Sequence, residues 1–431
     1  MIFQQITPFI SQNLSPYLCG FRKGFNAQHA LMRLKNKLNQ SLDKKQNIGL
    51  LMMDLSKAFD CISHDLLIAK LNAYGFSKDS LSLIHSYLKG RKQRVKINAE
   101  YSTWREIIDG VPQGSVLSPL LFNIFINDLF FFVENSDICN YADDNSLTVS
   151  DRNIDDIISK LQEDTDQLRQ WFAHNGMILN GDKCQFMIIE SSRNNRNSTT
   201  EIKIGGNIVK ESKKGKLLGI TFDNNITMKD HIKCICKQAS NKLYALARIS
   251  SYLDECKRKV LLKSFILSQF NYCPIIWMYC QRQSNNLINR IHERALRIAY
   301  NDYLSNFDAL LEKDNAITIH ERNIQALAIE IYKTVHHLSP DLMTEIFKPN
   351  QQHHSSRNRS LSYPNPRTVI YGLDTFGYKG SRMWGKIPLE IQNADSVTSF
   401  KNNLEQISEN LCDCNICKSY IQNLGYIDVT S

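Results

Sequence analysis

The chain lacks any apolar run approaching the roughly 20 residues that a membrane-crossing helix requires. Its start, Met1-Ile2-Phe3-Gln4-Gln5, has neither the basic opening nor the small-residue cleavage site of a signal peptide. No internal repeat is evident. The expectation is an intracellular protein with no membrane partner. A disulfide framework is lacking too. Of the 12 cysteines, all but the three in the tail are scattered singly, among them Cys19, Cys61, Cys139, Cys184 and Cys273, and read as buried thiols. An excess of negative charge is also missing, since the 52 Lys and Arg outnumber the 43 Asp and Glu. The imbalance is local. Residues 1–180 carry 19 of each sign, so all of the +9 falls in residues 181–431. One half suits clustered carboxylates and a metal, the other a polyanion.

At 431 residues, 42% of them hydrophobic, the chain is long enough for two or three domains with real cores. Its centre is Ile138-Cys139-Asn140-Tyr141-Ala142-Asp143-Asp144-Asn145-Ser146-Leu147-Thr148-Val149. Apolar and β-branched residues flank a polar centre, which reads as strand, turn, strand with two aspartates at the tip. Adjacent carboxylates repel and ionise together comfortably only around a cation. An ordinary solvated Asp-Asp turn is the competing reading.

A second acid ends the apolar run Ile48-Gly49-Leu50-Leu51-Met52-Met53-Asp54, a buried strand by its length and composition. An ionised carboxylate there is costly unless something pairs with it. Leu55 to Asp60 then turns into a helix running through Leu71. Upstream, Ala30, Leu31, Leu34, Leu38 and Leu42 repeat at a helical period after the basic loop Gly20-Phe21-Arg22-Lys23-Gly24-Phe25. Downstream, Gly110-Val111-Pro112-Gln113-Gly114 feeds Ser118-Pro119, an N-cap and N1 pair for a buried helix over Leu120–Val133. Further helices are expected over 79–89 and from Ile154 to near Gly176, with a strand into Ile189 and another over Leu217–Asp223. Residues 191–201 read as a loop and Asp230 to Phe347 as helical. Residues 348–367, rich in Asn, His, Ser, Arg and Pro, read as a linker.

Asp54, Gln113-Gly114 and Asp143-Asp144 resemble, in order and spacing, motifs A, B and C of reverse transcriptases. The likeness is to retrotransposons without long terminal repeats, particularly the jockey-like, LINE-type elements. Asp54-Leu55-Ser56-Lys57-Ala58-Phe59-Asp60 is similar to motif A, Gly110–Pro119 to motif B and Tyr141-Ala142-Asp143-Asp144 to motif C. Asn180 and Lys183 fit motif D, with Cys184 where the family often has Thr, and Leu217-Leu218-Gly219-Ile220 fits the primer-holding hairpin. The match covers roughly residues 10–235, and five motifs in order are far more specific than any one.

The resemblance implies an α+β fold: a right-hand polymerase palm, an antiparallel sheet with packed helices, followed by a helical thumb and C-terminal region. The expected division is 1–47 as a residual fingers and palm-entry segment, 48–228 as palm, 229–347 as thumb and connection, 348–367 as linker and 368–431 as a small C-terminal segment. It implies RNA-directed DNA polymerisation in the nucleus, the cytoplasm or both, with an RNA template, a DNA primer and dNTPs as partners. Two Mg²⁺ ions, or Mn²⁺ in their place, would be held by Asp54, Asp143 and Asp144. Lys183 would sit near the leaving pyrophosphate as a proton donor. Phe59 would lie under the sugar and exclude a 2′-hydroxyl, and Gln113 and Gly114 would border the nucleotide and template pocket. In the basic loop, Arg22 and Lys23 read as phosphate contacts, with a solvated basic turn as the equal alternative. Asp60 reads as local and structural.

The pattern departs from the family at both ends. The basic fingers segment and the upstream endonuclease are not found, and no RNase H acidic cluster is evident. The expectation is a 5′-truncated copy or an incomplete gene model, with a relic that only binds nucleic acid as the alternative function. In the tail, Cys412-Asp413-Cys414-Asn415-Ile416-Cys417 offers three of the four ligands that structural zinc needs, and His353 and His354 are distant in sequence. Solvent-exposed thiols are the commoner reading of such a tail.

Overall fold

The computed structural model describes residues 2–191, 199–350, 360–407 and 411–418. The chain divides into two compact units, residues 1–30 with 45–218 and residues 31–44 with 219–431.

The first unit is built on a four-stranded antiparallel sheet. Its strands are β1 (Asn47–Met53), β2 (Asp137–Tyr141), β3 (Asp144–Asp151) and β4 (Gln185–Ile189), in the order β4-β1-β3-β2. Strand β1 is central and its last six residues are buried, which explains why it reads as an unbroken apolar run rather than an alternating one. The longer helices of this unit are α1 (Ile2–Ser11), the start of α2 (Ala27–Asp43), α3 (His64–Ala73), α4 (Lys78–Leu88), α5 (Ser118–Ile126) and α6 (Ile154–His174). Ser63, Ser77 and Asn153 cap α3, α4 and α6 through their side-chain oxygens.

Helix α6 lays Ile157, Leu161, Leu168 and Phe172 into the core. Gly49 lets it come that close, because a Cβ there would stand 2.5 Å from both Ile157 Cγ2 and Leu161 Cδ1. Leu121, Phe122, Ile124 and Phe125 of α5 are fully buried in the same core. Each such side chain contributes about 1.5–3 kcal/mol over its exposed state.

Three expectations are corrected here. Ser118 is not the N-cap of α5. It lies inside the first turn, and its hydroxyl donates to the Pro112 carbonyl at 2.7 Å. The helix ends at Ile126 and tightens into a 3₁₀ segment, Asn127–Phe132, on which Phe131 is exposed rather than buried. Leu217–Asp223 is not one strand. Lys214–Leu217 and Ile220–Asp223 are separate strands, and Leu218 and Gly219 between them both take positive φ, +46° and +77°. Of the loop expected at 191–201, residues 192–198 lie outside the described residues, and the hairpin strands Glu201–Ile204 and Asn207–Lys210 follow it.

The second unit is mostly helical: α7 (Lys229–Ile249), α8 (Arg282–Tyr300), α9 (Phe307–Asp314), α10 (Ile319–Val335), α11 (Phe376–Lys386) and α12 (Val397–Glu405). Residues 31–44 join it through buried polar contacts. Lys35 Nζ donates to the Ile276 carbonyl, and Asp43 accepts from the backbone of Arg367 and Thr368. Asn36 accepts from the Gly377 backbone and Asn39 donates to the Asp374 carbonyl. These four polar residues lie on the helix whose apolar period alone was legible. Within 348–367, residues 351–359 lie outside the described residues. On either side of them Asn350 N–H donates to the Ser360 carbonyl and Ser362 N–H to the Lys348 carbonyl. Cys234 and Cys256 are exposed, contrary to the buried reading of the scattered thiols, and none of the 12 cysteines, all of them among the described residues, is in a disulfide. No helix among the described residues is long and apolar enough to cross a membrane.

Candidate active site

The sheet register builds the acidic cluster. Strand β1 pairs with β3 so that Met53 faces Asn145 and Met52 faces Ser146. One step beyond, Asp54 reaches the position opposite Asp144. Strands β2 and β3 close through Tyr141 and Asp144, leaving Ala142 and Asp143 as a two-residue turn with Ala142 at φ +57°. Asp143 is exposed at the tip, while Asp144 and Asp54 are half-buried. Burial first, and then the Asp143 and Asp54 charges, push the Asp144 carboxyl above its ordinary range.

The turn is held from below. Asn140 Nδ2 donates to the Ala142 carbonyl at 2.8 Å and to Asn145 Oδ1 at 2.9 Å, and Asn145 Nδ2 donates to the Asp143 carbonyl at 3.2 Å. Both asparagines are buried. From the side, the backbone of Gly20 presses on the tip, where a Cβ would stand 2.4 Å from Ala142 N. Leu18 bridges Asn140 in parallel, and Cys19 N–H donates to its carbonyl. The basic loop upstream of the sheet is therefore part of the hairpin's support.

Lys183 and Asp54 meet through a second turn. Asn180 N–H donates to the Asp54 carbonyl at 2.9 Å, and the Asn180 carbonyl accepts from Lys183 and Cys184 N–H. This brings Lys183 Nζ to 3.6 Å from Asp54 Oδ2. That oxygen is buried and accepts no hydrogen bond, and the Lys183 ammonium stands at ion-pair distance from it. A cation is what such a donor set fits: oxygen ligands from three carboxylates whose mutual repulsion the Lys183 ammonium offsets only in part.

The glycine-rich loop docks on the turn after Asp54. Val111 N–H donates to the Phe59 carbonyl and Gly110 N–H to that of Ile62. The Gly110 carbonyl accepts from His64 Nε2 and Arg91. Gly110 has φ +81°, and a Cβ there would stand 2.8 Å from the Asp60 backbone. Gln113 Nε2 donates to Asp60 Oδ1 at 2.8 Å, while Gly114, at φ +86°, stands clear of every neighbour. Phe59 stacks on Phe122 at 4.2 Å and meets the edge of Phe21 at 5.7 Å. Arg22 Nη1 donates to the Ser15 and Leu18 carbonyls, and its guanidinium lies 4.3 Å from the Phe25 ring centroid.

The protein-family model described as reverse transcriptase (RNA-dependent DNA polymerase) matches residues 1–222, more than half of the chain. The chain belongs to the reverse transcriptase family. Its relatives include proteins of retrotransposons without long terminal repeats. The probable RNA-directed DNA polymerase from transposon BS of Drosophila melanogaster is 29% identical over 293 residues, 64% of this chain and 32% of that protein. The RNA-directed DNA polymerase from mobile element jockey of the same species is 29% identical over 223 residues, 49% of this chain and 24% of that protein. The Pol polyprotein from type-1 element R2 of Popillia japonica is 26% identical over 197 residues, 42% and 32% respectively. The matched part of this chain therefore spans about a third or less of these relatives. Reverse transcriptases use divalent metal ions, and the structure is a mixed helix-and-sheet fold.

The structure draws Asp54, Asp143, Asp144 and Lys183 together from three segments, and docks the loop of Gln113 and Gly114 on the turn that carries Phe59 and Asp60. Sequence reading missed the two asparagines behind the aspartates. Their signal was present, since an Asn on each side of a two-residue turn is well placed to bond its backbone. Asp60 was read as structural, but its partner Gln113 could not be named without the loop contact.

Proposed function

We propose that this chain carries the polymerising centre of an RNA-directed DNA polymerase of a non-LTR retrotransposon. It would join a dNTP to a primer 3′-hydroxyl on an RNA template. The observation that carries the reading is the register that sets Asp54 opposite Asp144 at a hairpin tip, with Asp54 Oδ2 accepting no hydrogen bond and Lys183 as its ion-pair neighbour. Asp54, Asp143 and Asp144 would hold two Mg²⁺, which when bound stabilise the attacking and leaving oxygens of the transferring phosphoryl group; Mn²⁺ would substitute. Lys183, an exposed ammonium tethered beside Asp54, donates a proton toward the leaving pyrophosphate. Phe59, fixed in its ring stack, presents a rigid wall to the sugar of the incoming nucleotide. Gln113 is oriented by Asp60, and Gly114 leaves the loop backbone open to the template base. Arg22, whose Nη1 is committed to its own loop, would meet phosphate from there. We assign the first unit to the palm and the second to the thumb and C-terminal region.

Primer extension on an RNA template with Mg²⁺ tests the reading. The chain should extend, and Asp143→Asn/Asp144→Asn should lose about a thousandfold or more, since withdrawing metal ligands removes several kcal/mol of charge stabilisation. Retained duplex binding without extension by either protein would instead mean a nucleic-acid-binding relic. Phe59→Ala should raise ribonucleotide incorporation relative to deoxynucleotide incorporation, and an unchanged ratio would remove Phe59 from sugar selection.

A further inference from the structure

A cluster of soft ligands lies in the second unit, apart from the carboxylates. Cys412, Cys414 and Cys417 come from the segment 411–418. The fourth member, His320, comes from the first turn of α10, 92 positions before Cys412. One ligand atom from each of the four lies within 4.8 Å of all the others. His320 Nε2 stands 3.2 Å from Cys414 Sγ and 3.4 Å from Cys417 Sγ, and the two sulfurs are 3.6 Å apart.

Those separations have a chemical meaning. A tetrahedral zinc with Zn–S of about 2.3 Å and Zn–N of about 2.0–2.1 Å sets its ligand atoms roughly 3.5–3.8 Å apart. A disulfide would need the sulfurs at about 2.05 Å, and all three thiols are free. Without a metal the arrangement is poorly matched, because one neutral imidazole nitrogen accepts a single S–H while more than one thiol points at it. His320 and Cys412 are buried and the other two are half-buried, so the cluster is largely closed to solvent.

The segment is also brought to the helix by other means. Leu411 and Ile416 are buried. Asp413 pairs with Arg382 at 3.0 Å and with Lys386 at 2.5 Å, both on α11. The thiols are thus presented on a short segment, Cys412 and Cys414 before a helical turn and Cys417 on it, fixed at several points, which suits a tetrahedral ion and not three exposed thiols. Three thiolates and a zinc leave one net negative charge, and the cavity beside Cys412 and Cys414 is lined by Lys379, Arg382 and Lys418 against Asp374 and Asp413, one positive charge in balance.

We propose that His320, Cys412, Cys414 and Cys417 form a closed structural Zn²⁺ site that fastens the 411–418 segment to α10. Four protein ligands leave no open position, so the ion serves folding and not chemistry. His353 and His354, the histidines considered from sequence, lie outside the described residues.

The test is metal content and cobalt spectroscopy on the full chain, purified without chelator. The purified protein should carry one zinc per chain. Replacement by Co²⁺ should give the intense visible bands of a tetrahedral thiolate site. His320→Ala/Cys414→Ser should lower zinc content about tenfold or more. His320→Cys should keep the ion and shift the cobalt bands, which shows that position 320 is a ligand even if the double variant folds poorly. Asp54→Asn and Asp143→Asn should leave zinc content unchanged, so failure here is separable from failure of the polymerase reading. A wild-type chain that is zinc-free and gives no tetrahedral cobalt spectrum would overturn the proposal. So would full zinc retention in the double variant, or unshifted cobalt bands in His320→Cys.

Discussion

Asn145 shows how much of the acidic centre depends on residues that carry no charge. Its amide accepts from Asn140 and donates to the Asp143 carbonyl, so one buried side chain fixes the turn that presents both aspartates. Asn145→Ala leaves the Asn140 amide short of an acceptor inside the core, which costs about 1–3 kcal/mol. Urea unfolding should register that loss. Primer extension should fall further than the stability loss alone explains, because the carboxylates lose their placement and not their charge. Equal extension by Asn145→Ala and the wild type at a temperature where both are folded would show the turn to be held by the backbone alone. The aspartates were legible from sequence because adjacent acids between apolar runs are chemically unusual. The asparagines were not, because an Asn beside a turn is ordinary until its two partners are known.

Elements whose sequence signal was periodic were read well, and those defined by a single residue were not. Strand β1 and helix α2 follow from an unbroken and a 3.6-period apolar pattern. Ser118 was misassigned as a cap, since its hydroxyl found a carbonyl in the preceding loop instead of a helix amide. Helix α7 carries a pattern with a functional consequence. Ile232, Ile235, Cys236, Ala239, Leu243 and Leu246 are buried, while Lys229, Lys233, Lys237, Lys242 and Arg248 share the helix with one acid, Asp230. Lys233, Lys237, Lys242 and Arg248 are exposed. A helix with one apolar face and a nearly acid-free basic face suits the phosphates of a bound duplex. Lys233→Ala/Lys237→Ala should weaken binding to an RNA–DNA duplex about equally for any sequence. The slope of log affinity against log salt should drop by about one for each phosphate that is no longer neutralised. Unchanged salt dependence would place the duplex elsewhere.

At the scale of the molecule, the two units have different electrostatic characters, and the sequence showed this only as a charge imbalance. The unit boundary within α2 was not legible, because an apolar period says that a helix is buried without saying against what. The helical unit has a buried titratable group that makes its stability depend on pH. His292 lies on α8 with neither ring nitrogen hydrogen-bonded, edge-on to Phe307 at 5.4 Å. Burial, helped by the Arg322 charge and opposed by Asp314, pulls its pKa from 6.5 down to about 4. The folded unit therefore holds a neutral ring where the unfolded chain takes up a proton. Above the ordinary value the two states bind alike and His292 has no effect on pH dependence. As pH falls from 6.5 toward 4 the unfolded state gains a proton that the fold refuses, and stability drops by about 3 kcal/mol over that window. His292→Leu removes the titration while keeping an apolar side chain in the site. Melting of the helical unit should fall more steeply for the wild type than for His292→Leu between about pH 7 and about pH 4.5. Carboxylate protonation and acid loss of any bound metal act on both proteins alike, so the difference between the two curves isolates the ring. Parallel curves would mean that His292 is protonated within the fold, with its charge met by a group such as Asp314.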